Sequence, residues 1–293
     1  MGSKKKLILS SIKSLFGELE YRSTWNLGRG KDLIVLNYHG TPKSFLPNFR
    51  RQLEFFRSSF DIVSPDFLKL YFGGEELPST GRDKILLTFD DGIRNNLLAA
   101  AELEKIGVRG LFFIVPEFVE QEPQNQKKYF MEHIRKELPA DEFSEEQDWS
   151  SLSWKEVKEL ADRGHWVGSH SMTHQMRADQ TSIENYKNEV LGSRNKILDQ
   201  VGKIDNVASS FCSPVDSLLS TNRDQMKLIQ QNYSYFFSSY PGDNFNEKNP
   251  YFIKRSNVEA DWGLSKVIYQ VGRWDRFRWR NKINKFDQII RSF

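Results

Sequence analysis

From Asp32 onward, short apolar runs alternate with longer segments in which apolar residues recur every three or four positions. The runs at 34–38, 84–89, 111–115, 165–169, 206–211, 235–239 and 252–258 are rich in β-branched and aromatic residues and read as strands. Between them, 48–58, 95–106, 154–163, 182–201 and 222–231 carry helical spacing, several entered through Asn or Ser, whose side chains cap free N–H groups. Strand then helix, repeated, predicts a parallel sheet with crossover helices. About seven such units predict an α/β barrel rather than an open sheet, with chemistry gathered at the C-terminal ends of the strands. His39, Asp90, Asp91, His170 and Pro214 all fall just after a predicted strand.

Two regions stand outside that rhythm. The stretch 116–153, after the third predicted strand, is too long for an ordinary connection and is charged and aromatic (Tyr129, Phe130, Phe143). It reads as a lid or substrate-facing insertion, with a plain surface excursion as the alternative. Residues 7–19 place Ile8, Ile12, Leu15, Phe16 and Leu19 near one helical face, which would pack on the domain or lie on a membrane. The organisation expected is an amphipathic segment over 1–30, one main domain over 31–272 and a basic aromatic tail over 273–293. No internal repeat or low-complexity segment argues for a solenoid or propeller.

Composition narrows the class. A chain of 293 residues, 38 % apolar and 13 % aromatic, can furnish a sizeable core. The single cysteine, Cys212, excludes an internal disulfide framework and fits a reducing compartment. Lys4, Lys5 and Lys6 resemble the start of a signal peptide, but Ser10, Ser11 and Lys13 interrupt the apolar stretch behind them, so no export signal is read. No run approaches the roughly 18 apolar residues of a membrane span. The formal charge of +3 is too small to imply a nucleic-acid partner, but its distribution is uneven. Residues 273–293 carry seven Lys or Arg against two Asp, interleaved with Trp274, Phe277, Trp279, Ile283 and Phe286. Such a tail suits an anionic membrane surface, or packs on the barrel. The location expected is cytoplasmic, peripheral at the cytoplasmic face of the membrane.

The candidate chemistry lies in two short segments. In 88–92, Asp90 and Asp91 follow an apolar strand and Gly92 opens the turn before a helix. Adjacent residues leaving a strand point in different directions, so one carboxylate can bind a metal while the other reaches a substrate-side water. Asp-Gly is also a common turn dipeptide, and the pair gains meaning from the second segment. There His170 and His174 stand four apart, a spacing that on one helical turn presents both imidazoles to one point.

Together, Thr88 to Gly92 and His170 to His174 resemble the first two motifs of the polysaccharide deacetylases, the carbohydrate esterases that share the NodB homology domain. Leu36-Asn37-Tyr38-His39, Phe49 with Gln52 to Phe56, and Leu152-Ser153-Trp154 leading to Gly164-His165 are similar in the same order, over roughly residues 33 to 258. The resemblance implies a distorted (β/α)7 barrel, a divalent metal, Zn2+ in most members and Co2+ or Ni2+ in some, and N-acetylated sugars as substrates. It implies Asp91, His170 and His174 as metal ligands and Asp90 as general base. The third motif corresponds to residues 211–216, with Val215 after Pro214 as the expected oxyanion donor, but its usual Arg is absent and Asp216 stands where Gly is common. No histidine follows His174, so the family's late general acid has no counterpart. His39 is the imidazole left for that role, with Glu259 or Asp261 as alternatives, and Arg255 is the candidate to orient Asp90. His133 and His165 read as structural.

The function expected is metal-dependent hydrolysis of the N-acyl group of an amino sugar, in a glycan or a lipid-linked precursor. The alternatives are deacetylation of a small non-sugar amide, and a catalytically degenerate, metal-binding scaffold for glycan assembly at the membrane. Nucleic-acid binding through the tail would demand steep salt dependence and no metal.

Overall fold

The computed structural model describes residues 32–74, 80–135, 148–176, 182–214, 221–242, 244–245, 248–272 and 281. Eight strands form one sheet: β1 (Leu33–Tyr38), β2 (Asp61–Ile62), β3 (Lys84–Phe89), β4 (Leu111–Ile114), β5 (Trp166–Ser169), β6 (Val207–Cys212), β7 (Tyr235–Phe237) and β8 (Ser256–Asn257). Every pairing is parallel, in the order β7-β6-β5-β4-β3-β1-β8, with β2 lying beside the first two residues of β3. The segment before β8 touches the far edge as well: Ile253 bridges Phe237 of β7, while Ser256 and Asn257 pair with Leu36 and Asn37 of β1. The sheet is thereby curled into the distorted barrel expected.

The two faces follow from the period of two along each strand. Leu33 and Val35, Leu86, Leu111 and Phe113, Trp166, Cys212 and Ile253 form one buried cluster, which fills the inside of the barrel. Their neighbours Ile34, Leu36, Ile85, Leu87, Phe112, Ile114 and Val167 form another, with Phe49, Leu53 and Phe56 of the helix Leu46–Ser59, Leu103 of Asn96–Lys105, Leu160 of Trp154–Asp162 and Ile197 of Ser193–Val201. Strands covered on both faces need apolar residues at successive positions, which is why the runs are continuous rather than alternating. The helices start where their caps say: Ser153 and Glu156 close a reciprocal capping box, as do Asn222 and Gln225, and Ser182 accepts from the Asn185 N–H.

The structure adds elements the pattern did not announce. β2 is two half-buried residues, too short to carry a period. The helices Phe67–Phe72 and Leu264–Val271 were also not anticipated. With β2 counted, the insertion follows β4 and not the third strand. Its described part is folded rather than an excursion: the helices Pro116–Val119 and Pro123–Tyr129 and a wide turn over Phe130–Ile134 pack Phe118, Tyr129, Phe130 and Ile134 against Ile93 and Val115. The N-terminal segment and basic tail lie outside the described residues, apart from Asn281. Among the described residues no helix is long and apolar enough to cross a membrane.

Candidate metal centre and active site

The same period that fills the barrel places the chemistry. Continuing the inward phase one step past the strand gives His39 after Asn37, Asp90 after Thr88 and His170 after Gly168, while Arg255, two residues after the inward Ile253, stands just before β8. Three strand ends and the segment leading into β8, all far apart in sequence, thus deliver polar side chains to one place.

Asp91 begins the departure from β3 in a left-handed conformation (φ 75°), followed by Gly92 (φ 70°). A side chain at Gly92 would meet Ile114 Cδ1 at 3.2 Å, so the turn is tight as well as left-handed. Asp91 is fully buried, and neither carboxylate oxygen meets a donor in hydrogen-bond geometry. His170 Nε2 stands 3.5 Å and His174 Nε2 3.2 Å from Asp91 Oδ1. The other ring nitrogens are taken: His170 Nδ1 lies 3.0 Å from the Cys212 carbonyl and His174 Nδ1 2.8 Å from the His133 carbonyl. A carbonyl only accepts, so both Nδ1 atoms carry hydrogen, and each Nε2 is the nitrogen turned toward the carboxylate. A buried carboxylate and two Nε2 atoms turned to one point are an arrangement that a cation between them would satisfy. The carbonyls are the outer partners that fix ring orientation in histidine metal sites. The donor set, one carboxylate and two imidazoles with all ligand atoms within 4.8 Å of one another, fits a divalent metal.

The histidine pair does not sit on a helical turn, contrary to the expectation from its spacing. Residues 170–176 form an irregular turn in which Ser171 (φ 65°) and His174 (φ 62°) are left-handed. The two rings meet because of those reversals, with centroids 5.1 Å apart.

Asp90 belongs to a separate arrangement beside the first. Arg255, with no exposed surface, grips it with two bonds, Nη1 to Oδ1 at 2.7 Å and Nη2 to Oδ2 at 2.9 Å. The same guanidinium donates to Thr88 Oγ1, the Ser238 carbonyl and Cys212 Sγ, and lies over the Phe113 ring. Burial by itself would raise the Asp90 carboxyl, but the charge of Arg255, with His170 and the two guanidinium bonds, outweighs it and holds the group below the usual carboxylate range. Burial likewise pushes the Cys212 thiol well up, so this cysteine stays protonated.

His39 faces Glu259, with Nδ1 2.9 Å from Oε1, and the carboxylate also has Asn257 Nδ2 at 3.3 Å and Arg135 at 3.5 Å. Burial disfavours the imidazolium, yet the Glu259 charge prevails and the His39 pKa is raised. Asp261 is exposed. His165 is a framework residue: Nδ1 accepts from Gly110 N–H and Nε2 faces Glu104. His133 contributes its carbonyl to His174. Pro214 ends the described part of the segment after β6, and Val215 and Asp216 lie outside the described residues.

An Asp–His–His group that could hold a metal and an Arg-gripped carboxylate stand together at the mouth of a parallel barrel, the arrangement of a hydrolase. The polysaccharide deacetylase family model matches residues 78–233, more than half of the chain, and the chain belongs to that family. Its members are hydrolases of carbon–nitrogen bonds that act on N-acetyl groups of carbohydrates, and this chain is such an enzyme. Among solved structures, the Streptococcus pyogenes deacetylase PplD in complex with acetate is similar over 82 % of this chain and 98 % of its own, at 16 % identity and TM-score 0.61. IcaB from Ammonifex degensii is similar over 85 % and 98 %, at 20 % and 0.60. BC0361, a polysaccharide deacetylase from Bacillus cereus, is similar over 82 % and 69 %, at 18 % and 0.58. These likenesses establish the fold. No curated protein sequence matches the chain. His39, Arg255 and Glu259 all lie outside the residues that the family model matches.

Proposed function

We propose that the chain removes the acetyl group from an N-acetylated amino sugar in a glycan or lipid-linked glycan precursor, with a divalent metal, Zn2+ before Co2+ or Ni2+, held by Asp91, His170 and His174. The observation that carries this reading is the convergence of the Asp91 carboxylate with His170 Nε2 and His174 Nε2 beside a carboxylate held rigid by Arg255. Bound there, the metal supplies Lewis-acid chemistry, lowering the pKa of a water and polarising an acyl oxygen.

The protein's own groups divide the remaining work. Asp90 is the general base: two guanidinium bonds fix the plane of its carboxylate, and each oxygen keeps a second lone pair to accept the proton of the attacking water. The clamp costs basicity and supplies orientation, which matters more for a base whose proton must travel along one line. His39 is the general acid. Its Nδ1 is committed to Glu259, the Glu259 charge favours the imidazolium, and Nε2 is left to deliver a proton to the departing amine. The Val215 N–H is the proposed oxyanion donor. The acetate bound by the streptococcal deacetylase is the acid product that this reaction would release.

A cytoplasmic, membrane-peripheral location through the basic tail goes with this reading, and removal of 273–293 without loss of liposome binding would refute it. The test of the function is release of acetate and formate from soluble, nucleotide-linked and lipid-linked amino sugars by Zn2+- and Co2+-loaded protein beside Asp90→Asn. Metal-dependent release that vanishes in Asp90→Asn is expected. No release from protein holding one metal per chain would favour the scaffold instead.

A further inference from the structure

The turn that carries His170 and His174 has an unusual shape and an unusual holder. Left-handed backbone, as at Ser171 (φ 65°) and His174 (φ 62°), is disfavoured for residues with side chains. Bonds internal to the turn, from the His174 N–H to Ser171 Oγ and from the Gln175 N–H to Thr173 Oγ1, tie neighbours together but do not anchor it to the barrel. Its carbonyls are tied to the insertion, that of Met172 accepting from the Glu117 N–H at 3.0 Å and that of Thr173 from Tyr129 Oη at 2.8 Å, while its N–H groups are held from the helical stretch Ile183–Val201 packed beside it. Glu189 Oε2 accepts the successive N–H groups of Met172 and Thr173 at 3.0 and 3.1 Å, and its Oε1 accepts from Thr173 Oγ1 at 2.8 Å.

Glu189 lies in a π-turn, Asn188–Gly192, closed by the Ser193 N–H on the Asn188 carbonyl. Such turns are uncommon inside α-helices and insert one residue into the helical phase. Here the wider turn is built into the barrel at several points. The Glu189 carbonyl accepts from Ser193 Oγ at 2.6 Å, and the Val190 carbonyl accepts from Tyr233 Oη at 2.6 Å. Ser193 Oγ also lies 2.6 Å from Oγ of Ser169, the residue before His170. Gly192 completes the fit, because a side chain there would stand 2.6 Å from Asn188 Oδ1 and 3.2 Å from Met172 Cε. One π-turn therefore grips the histidine turn both at its root, through Ser169, and at its middle, through Glu189.

We propose that Glu189 is a positioning residue for the metal ligands, holding the 170–174 turn in the shape that brings the His170 and His174 Nε2 atoms together. The proposal rests on the reading that this cluster holds a metal. A carboxylate suits this role because two adjacent N–H groups and a hydroxyl point at it, and charge-assisted bonds of this kind are roughly twice as strong as neutral ones. A merely structural Glu189 would change the unfolding temperature but not the metal affinity of the folded chain.

The test is metal affinity, measured on full-length protein stripped with a chelator and titrated with Zn2+ or Co2+ against a chromophoric competitor, well below the unfolding temperature. Glu189→Ala is expected to weaken binding about tenfold to a hundredfold, the range typical of losing an outer partner of a metal ligand. Glu189→Gln, which keeps one acceptor oxygen, is expected to fall between Glu189→Ala and the parent. Affinity in Glu189→Ala within twofold of the parent overturns the proposal. If Glu189→Ala does not fold, Glu189→Gln decides, and affinity equal to the parent's overturns it. A parent chain that binds neither metal removes the metal reading itself, whereas a parent that binds with an unaffected Glu189→Ala removes only the role of Glu189.

Discussion

Arg255→Met tests the arrangement around Asp90 most severely. Methionine keeps much of the volume and removes every donor, leaving the Asp90 carboxylate buried without its charge partner and the Ser238 carbonyl and Thr88 hydroxyl each without one bond. Breaking a buried ion pair from one side costs about 3–5 kcal/mol, because the remaining charge is stranded. Asp90→Asn alone leaves Arg255 with its bonds to Ser238, Thr88 and Cys212 and is expected to cost less, about 1–3 kcal/mol. The double variant no longer strands a charge, so it should be more stable than Arg255→Met by roughly 1–3 kcal/mol. Urea unfolding of the four metal-stripped proteins measures the cycle, with stripping needed so that metal binding does not mask the differences. Coupling below about 0.5 kcal/mol, the usual scatter of independent sites, would show that the pair does not act as a unit and sink the idea that Arg255 holds Asp90. Arg255→Lys adds a control: it keeps the charge without the fork, so it should recover part of the stability and little of the turnover.

Three further outcomes are expected. His174→Ala should weaken Zn2+ binding by more than about a hundredfold, since a ligand is lost rather than its outer partner, and equilibrium dialysis showing tight binding would remove His174 from the ligand set. His39→Ala should lower kcat for acetate release roughly a hundredfold to ten-thousandfold, the usual worth of a general acid, with metal content unchanged; full turnover would clear His39 of the role. Glu102 is held down to about 2 from 4.5, foremost by its bonds from Arg50, against burial, and with help from Lys105. Its stabilising effect is therefore complete above about pH 4.5 and is lost as pH falls toward 2. Because Arg50 and Lys105 are largely solvated, the effect is of order 1 kcal/mol. The unfolding temperature of Glu102→Gln should lie below the parent's at neutral pH and converge on it in acid, and a gap that ignores pH would count against the ion pair.

The legibility of this chain in sequence followed the range of the signal. Runs at 34–38 and 84–89 were readable because both faces of those strands are covered, which makes the whole run apolar. The helices beginning after Ser153 and Asn222 were readable from their caps. β2 was not, since two residues have no period. At the site, Asp90, Asp91, His170 and His174 could be named, but not the shape of the turn joining the two histidines, because left-handed backbone at Ser171 and His174 follows from what surrounds the turn rather than from its own residues. The carbonyls of Cys212 and His133, which set the imidazole tautomers, carry no side-chain signature at all. Glu189 had a faint one, a buried acid in an otherwise amphipathic helix, but nothing in the sequence announces a π-turn.

Arg255 shows why order along the chain is a weaker constraint here than position around the rim. The third motif of the polysaccharide deacetylases usually carries an arginine, which residues 211–216 lack, and the sequence offers Arg255 in its place. In the barrel, β8 pairs with β1, and the residues leading into it bridge β7, so this last segment runs between the edges of the sheet. A long side chain at 255, on the inward phase, crosses the interior above Phe113 and brings its guanidinium to 2.7 Å from Cys212 Sγ and onto Asp90 together. The guanidinium thus arrives beside the segment of the third motif from another part of the chain, the residues leading into β8. Any inward position near the rim of a closed ring of parallel strands can supply a donor of that reach. What has to be kept is a fork-shaped cation at the end of an inward-facing chain, and a carboxylate within its reach, here two strands away at the end of β3.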